Sequence, residues 1–322
     1  MIKERELLAK IFLANRSLPE RVTIKPGDDL AAVRWQGETV LIGVDQIADG
    51  VHFELAETPL EKVCRKAVTR NLSDVAAMAA SPVGTVAAAC LPRGFGRSRS
   101  DELVDHLREV AAAYDCPLIG GDVAVWDQGL LLTVTILAET SGIEPLTRTG
   151  AQVGDAVCVT GRLGGSMIEF EGQTHHLDFE PRIAIARQLA ANGDTRPHCM
   201  IDLSDGLGVD VGHLCRASGV SAELWVDRLP VSDAAREMSR RDKVEPWRHA
   251  LGDGEDYELC FTVSARQMQR ALPSQIDDTP ITQVGRITPA DTVAPVKIKM
   301  PDGSLETVGD AGWEHRGCET GG

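Results

Sequence analysis

Acidic residues stand beside glycine at the ends of apolar runs throughout this chain, and that pairing is what could do chemistry. Asp28 and Asp29 sit in PGDDLAAV, Asp45 closes TVLIGVD, and Asp122 follows CPLIGG. Asp202 and Asp205 lie in MIDLSDGL, and Asp253, Glu255 and Asp256 in LGDGEDYEL. In open α/β sheets ligands gather at the carboxyl ends of strands, where glycine lets a backbone come close. Carboxylates collected there with few cations nearby in sequence must be neutralised by protonation or by metal. Magnesium takes hard oxygen ligands and usually bridges a few carboxylates to substrate phosphates. Convergence of these motifs would therefore mark metal-assisted phosphate chemistry.

Asp74, in NLSDVAAMAAS among alanines and Met78, is the most telling single residue. An ionised group buried there without a partner would be costly. The sequence leaves two roles open for it, a helix cap before Val75 or a ligand-bearing carboxylate. Asp205 reads both as a cap before Leu207 and as part of a phosphate-binding helix start with Gly206. GDGEDYEL also reads as a tight surface turn. His52, in DGVHFEL, suits a strand face, and His175 and His176 are expected to be solvent-exposed.

Other chemistries are missing. No GxxxxGK[ST] and no GxSxG occurs, so a P-loop and a serine-hydrolase elbow are excluded. Gly206, Gly208 and Gly212 are spaced GxGxxxG, a weak imitation of a dinucleotide fingerprint. The eight cysteines form no CxxC pair and mostly sit in apolar runs. They read as buried free thiols in a reducing cytoplasm, not as a zinc site or a disulfide scaffold.

Those residues need a frame to hold them. The chain has 322 residues, 43% of them hydrophobic and 25% charged, with a formal net charge of -15. That balance describes a globular protein of two domains, and its acidity argues against a nucleic-acid partner. No apolar stretch approaches the ~18 residues that span a bilayer, so no membrane is expected. The first twenty residues carry charge throughout and lack an apolar h-region, so no secretory signal is expected.

Strand signals fall at Thr39–Val44, Gly84–Leu91, Cys116–Ile119 and the β-branched Leu130–Glu139. Helices are predicted over Leu60–Ala80, ended by Pro82, and over Asp101–Ala113. Turn-rich connectors follow at Ser141–Pro145 and Arg148–Gly150. The chain is accordingly divided into an N-terminal domain, 1–145, and a C-terminal domain, 146–322. The second half is expected to hold strands at Ala156–Thr160, Ala222–Val226, Glu258–Val263 and Ile281–Ile287. Helices are predicted at Pro181–Ala191 and Leu207–Ser218, the latter capped by Gly219, with Gln173–Phe179 as loop. The fold class is α/β plus α+β.

Taken as a set, GDDLAAV, VDQIADGVHF, KAVTRNLSDVAAMAASP, LIGGD, LTRTGAQVGD, VTGRLGGS, MIDLSDGL and LGDGEDYEL resemble the thiamine-monophosphate kinases in order and spacing. That family belongs to the aminoimidazole ribonucleotide synthetase-like superfamily. The resemblance runs from about Gly27 to Trp313. It implies phosphorylation of thiamine phosphate to thiamine diphosphate with ATP, and a homodimer built through the N-terminal sheets. It further implies that Asp29, Asp45, Asp74, Asp122, Asp202 and Asp205, with Asp28 beside them, hold Mg2+ ions. Asp45, Asp74, Asp122 and Asp205 are thereby the catalytic set. Gly121, Asp122, Arg148 and Ser204 would contact the nucleotide, and His52, Glu255 and Trp313 the thiamine phosphate. Direct in-line transfer is favoured, because no His or Cys sits within the acidic motifs as a nucleophile to be phosphorylated.

The chain departs from the family pattern at Gly43 and Val44, where hydroxyl residues usually precede the aspartate, and at Arg316, where an aromatic is usual. Two alternatives stay open: a superfamily enzyme with another acceptor, or a weakened, non-catalytic relative that binds thiamine phosphate or ATP. Selenophosphate synthetases carry a reactive Cys or selenocysteine near the N-terminus, whereas the first cysteine here is Cys64.

Overall fold

The computed structural model describes residues 10, 11, 13, 15 and 17–308. Trp313, Arg316 and Cys318 lie outside them. The first half folds as β1 (Val22–Ile24), β2 (Ala31–Trp35), β3 (Glu38–Ala48), α1 (Leu60–Ala77), β4 (Ser81–Pro92), α2 (Arg97–Ala113), β5 (Leu118–Trp126) and β6 (Leu131–Glu139). The six strands make one sheet in the order β1-β2-β3-β6-β4-β5. Neighbours are antiparallel except β4 and β5, which run parallel.

Period-two alternation decides which face each side chain joins. Leu41 and Ile47 on β3 are buried with Val134 and Ile136 on β6, whereas Ile42, Val44 and Gln46 point to the opposite, exposed face. There the Gln46 amide donates to Thr133 Oγ1 at 2.9 Å. Asp45 shares the parity of Leu41 and Ile47, so it faces α1.

α1 lies in the seam of the molecule. Val63, Val68, Leu72 and Val75 pack into the core of the first sheet, while Ala76 and Ala77 pack with Leu189 and Phe261 of the second half. Alanines at its end permit that close approach. The helix stops at Ala77, three residues short of the predicted end, because Ala79 takes a left-handed φ of 53°.

The second half continues with β7 (Ala156–Thr160), a short hairpin of β8 (Glu169–Phe170) and β9 (Gln173–Thr174), α3 (His175–Asp178), α4 (Ile183–Ala191), β10 (Cys199–Asp202) and α5 (Leu207–Ser218). Then come β11 (Ser221–Trp225), α6 (Asp233–Asp242), α7 (Pro246–Gly252), β12 (Leu259–Val263), α8 (Ala265–Arg270), β13 (Gln275–Ile276), β14 (Thr279–Thr288), β15 (Val296–Lys299) and β16 (Leu305–Thr307). The second sheet has the order β10-β12-β7-β14-β11-β15-β16, with β13 paired to β14. Gly219 caps α5 in the left-handed conformation, as its position after the last apolar residue predicts.

Three expectations need correction. The stretch read as loop at 173–179 contains β9 and α3, and His176 within it is 5% exposed. That imidazole packs against α1, a contact 110 residues distant in sequence. The strand read as Cys116–Ile119 runs on through Gly120, Gly121 and Asp122 to Trp126. Ladder pairing with β4 overrides the turn propensity of those residues. Among the described residues seven cysteines are free and six of them are buried, as the apolar runs around them predict.

Candidate active site

α1 organises the site through its geometry. Lys66, Arg70 and Asp74 stand at i, i+4 and i+8, one stripe of about 12 Å along a single helix face. Each meets a different neighbour.

At the C-terminal end of the stripe, Asp74 meets Asp29 from the loop before β2 and Asp202 from the end of β10. One carboxylate oxygen of each lies within 4.8 Å of the others. Asp74 sits inside α1, three residues from its end, so the capping role is ruled out. Asp29 Oδ1 accepts from Arg148 Nε at 3.1 Å and from Arg148 Nη2, while its Oδ2 is buried with no hydrogen-bond partner. Asp202 Oδ2 accepts from Ser73 Oγ at 2.6 Å.

Burial, then the carboxylates of Asp45, Asp202 and Asp29, push Asp74 well above the usual carboxylate range. Burial and Asp29 raise Asp202 to about 7, against the Ser73 hydrogen bond and Arg148. Burial and Asp29 raise Asp28 to about 6. Hard oxygen donors crowded beyond what Arg148 can neutralise, with one oxygen orphaned, fit a divalent cation such as Mg2+.

The crowding has a measurable consequence for the metal-free protein. Groups whose folded pKa exceeds that of the unfolded chain, about 4 for Asp, bind extra protons on folding. The stability they contribute is full below about pH 4 and is lost as pH rises through about 7. The melting temperature in EDTA should therefore fall between about pH 5 and pH 8, and millimolar Mg2+ should flatten that slope. Scanning calorimetry across this range checks it. A flat metal-free profile would remove the case for charge crowding.

The other predicted ligands are distributed differently. Both oxygens of Asp28 accept the Arg148 backbone N–H, at 3.1 and 3.3 Å, so Asp28 holds the Arg148 loop and lies outside the three-carboxylate group. Asp205 joins a second group with Asp210 and His213. Asp210 Oδ2 accepts the N–H groups of Asp205 and Gly206, both at 3.1 Å, and so shapes the loop before α5. Gly206, not Asp205, stands at the N-cap of that helix. Asp210 went unread in the sequence, although its place three residues into the helix after DLSDGL was a visible signal.

Asp122 is not brought to Asp74 within one chain. It pairs with Ala88, Ala88 with Thr133, and Thr133 with Gln46, so it shares the outward face of Gln46. Asp45 faces the other way, and three strand spacings, about 14 Å, separate β3 from β5. Gly121 is demanded by close approach, since a Cβ would meet the Ala87 carbonyl oxygen at 2.1 Å. The departure at Gly43 also has a physical reason: a Cβ there would lie 2.3 Å from Leu30 Cδ2, and Leu30 is fully buried. Val44 is 62% exposed on the outward face.

At the N-terminal end of the stripe, Lys66 is completely buried. Its Nζ donates to Glu255 Oε2 at 2.7 Å and to the His52 carbonyl oxygen at 3.0 Å, and lies 2.6 Å from His176 Nδ1. Burial alone would raise Glu255, but His176 and Lys66 hold it down at about 2. Burial lowers Lys66 to about 8, against the pull of Glu255. Glu255 takes a left-handed φ of 54° and Tyr257 one of 50°, backbone strain that aims this loop at the helix. The Glu255 N–H donates to the Ser204 carbonyl oxygen at 2.7 Å, tying DLSDGL to GDGEDYEL. A cavity of about 140 Å³ opens beside them, lined by Val51, His52, Met167, Met238, Asp253 and Glu255. Ala48 N–H donates to His52 Nδ1 at 3.1 Å, which puts the proton of the neutral ring on Nε2. Lys66, Arg70 and His176 were missed in the sequence; a Lys, an Arg and an Asp at four-residue spacing along one helix was the available sign.

Residues 27–140 match the family described as AIR synthase related protein, N-terminal domain. Together with the two mixed sheets and their helices, this defines an aminoimidazole ribonucleotide synthetase-like fold. The chain is 36% identical to the thiamine-monophosphate kinase of Rhodopirellula baltica over 88% of this chain and 89% of that one. It is 34% identical to the Escherichia coli K12 thiamine-monophosphate kinase over 97% and 98%. The solved structure of AaThiL complexed with AMPPCP and TMP superposes with a TM-score of 0.80 at 27% identity, covering 98% of this chain and 97% of that one. The chain belongs to the thiamine-monophosphate kinase family and is a phosphotransferase.

Proposed function

We propose that this protein catalyses the Mg2+-dependent, direct in-line transfer of the γ-phosphoryl group of ATP to thiamine phosphate, giving thiamine diphosphate. The carrying observation is the α1 stripe, which joins the Asp29–Asp74–Asp202 cluster to the Glu255 pocket along one helix face. The relatives' names and the complex of AaThiL with AMPPCP and TMP support the choice of nucleotide and acceptor.

Bringing two polyanions together is the physical difficulty, and no strong base is needed, because the attacking phosphate oxygen is already anionic near neutral pH. Magnesium held by Asp29, Asp74 and Asp202, with Asp45 and Asp205 nearby, would neutralise phosphate charge and the transferring group. Arg148, fixed by Asp28 and Asp29, and the Ser204 loop would position the nucleotide. His52 and the ionised Glu255 would hold the acceptor's rings against Val51 and the methionines.

The same reading assigns residues 1–145 to nucleotide and metal binding and dimerisation, and 146–322 to the α+β partner domain. Exposed Ile42, Val44 and Val86 on the outer sheet face supply an apolar surface suited to a second copy. In that homodimer, Gly121 and Asp122 of the partner subunit would complete each site. Buried free thiols support action in a reducing cytoplasm.

The test is a coupled assay for thiamine diphosphate with thiamine phosphate, ATP and Mg2+, beside a matched reaction in EDTA. Metal-dependent product is expected. No product, with thiamine phosphate or ATP still binding by calorimetry, would replace the kinase reading with a binding protein or another acceptor.

A further inference from the structure

We propose that Arg70 is a further catalytic residue of this enzyme, its guanidinium taking the phosphate of the acceptor between the acidic cluster and the Glu255 pocket. The inference rests on the kinase reading above and deepens it.

Other arginines of the molecule show what a satisfied guanidinium looks like. Arg182 grips Glu258 with two hydrogen bonds, at 2.8 and 2.5 Å. Arg148 grips Asp29 through Nε and Nη2. Arg70 has no such grip. Its Nη2 lies 3.6 Å from Asp45 Oδ1, beyond hydrogen-bonding reach, and its Nη1 donates to the Gln46 carbonyl oxygen at 3.4 Å. Its Nε is buried and has no partner. A buried, unmet donor on a charged group is costly, so the fork is built for a partner that arrives.

Position names that partner. Arg70 stands one helical turn from Asp74 and one from Lys66, between the carboxylates and the acceptor pocket. A guanidinium stays cationic near neutral pH, and the Asp45 and Glu255 carboxylates beside it hold that charge against burial. A planar cation with free donors at that point suits a tetrahedral oxyanion with several acceptor oxygens. In the reaction, the bond from an acceptor phosphate oxygen to the γ-phosphorus forms as the bond from that phosphorus to the β-phosphate oxygen breaks. The electron pair leaves with ADP, and no proton need move. Arg70 would orient the attacking phosphate and meet the charge spread over the transferring group.

The experiment compares wild type with Arg70→Gln and Arg70→Lys, measuring kcat and KM for thiamine phosphate. Calorimetry adds the affinities for thiamine phosphate, for thiamine without its phosphate, and for Mg-ATP. Arg70→Gln should lower kcat/KM about 100-fold and weaken thiamine phosphate about 10-fold, with thiamine and Mg-ATP affinity within about two-fold of wild type. Arg70→Lys should recover part of the loss, having the charge without the fork. Unchanged kcat/KM in Arg70→Gln overturns the proposal, as does equal weakening of thiamine and thiamine phosphate, which would mark a structural role. Should Arg70→Gln not fold, Arg70→Lys decides on the same ratio: it must weaken thiamine phosphate more than thiamine. A wild type that neither turns over nor binds thiamine phosphate would overturn the kinase reading itself, a result separate from any difference between variants.

Discussion

Asp74→Asn is expected to lower metal-dependent turnover by about 1,000-fold while leaving a folded protein that melts, without metal, at or above the wild-type temperature. The two effects have one cause. In the metal-free chain desolvation of the Asp74 carboxyl, then Asp45, Asp202 and Asp29, all oppose its ionisation. A neutral amide of nearly the same shape removes that desolvation and repulsion, so folding gains or holds even. For catalysis the same carboxylate is one of three that converge within 4.8 Å, and its charge is what would draw a cation between them. Mg-ATP should therefore raise the melting temperature of the wild type and much less that of the variant. Activity assays beside calorimetry with and without Mg-ATP read both halves. A variant that loses both activity and metal-free stability would mean that Asp74 supports the fold instead of holding metal.

The acidic frame of this site was legible in the sequence because its pieces are local. Asp28, Asp122 and Asp205 stand next to glycine and Asp45 and Asp202 close apolar runs, and the runs at Ala156–Thr160 and Leu207–Ser218 are strand and helix as their periodicity requires. The cationic half was not legible. Lys66 meets Glu255 across 189 residues and His176 across 110, and nothing local marks such contacts. Asp74 was ambiguous for a similar reason: whether NLSD starts a helix or lies inside one depends on the tertiary packing that carries α1 on to Ala77. β5 was read short because Gly120-Gly121-Asp122 has turn chemistry, and only pairing with β4 holds it extended. That last misreading matters most for function, since the extended β5 sets Asp122 on the opposite sheet face from Asp45.

Mixing two inactive variants should restore activity if, as proposed, Asp122 serves the site of the other subunit. Asp74→Asn damages the cluster of its own chain, and Asp122→Asn would damage the site of its partner. In a hybrid dimer one site then carries both lesions, while the other combines an intact cluster with an intact Asp122. Random exchange at equal amounts makes half of the dimers hybrids, each with one working site, so about a quarter of wild-type activity should return. A hybrid isolated through two different tags should reach about half. The strand register argues against action within one chain. Reaching its own Asp45 would require Asp122 to cross the sheet from the face it shares with Gln46, over three strand spacings of about 14 Å in total. Exposed Ile42 and Val44 of β3 and Val86 of β4 give the two sheets a reason to meet. If Asp122 acts within its own chain, every site in the mixture keeps at least one lesion and activity stays at background. If Asp122→Asn alone is fully active, Asp122 has no part in the reaction, and the site is complete in one subunit.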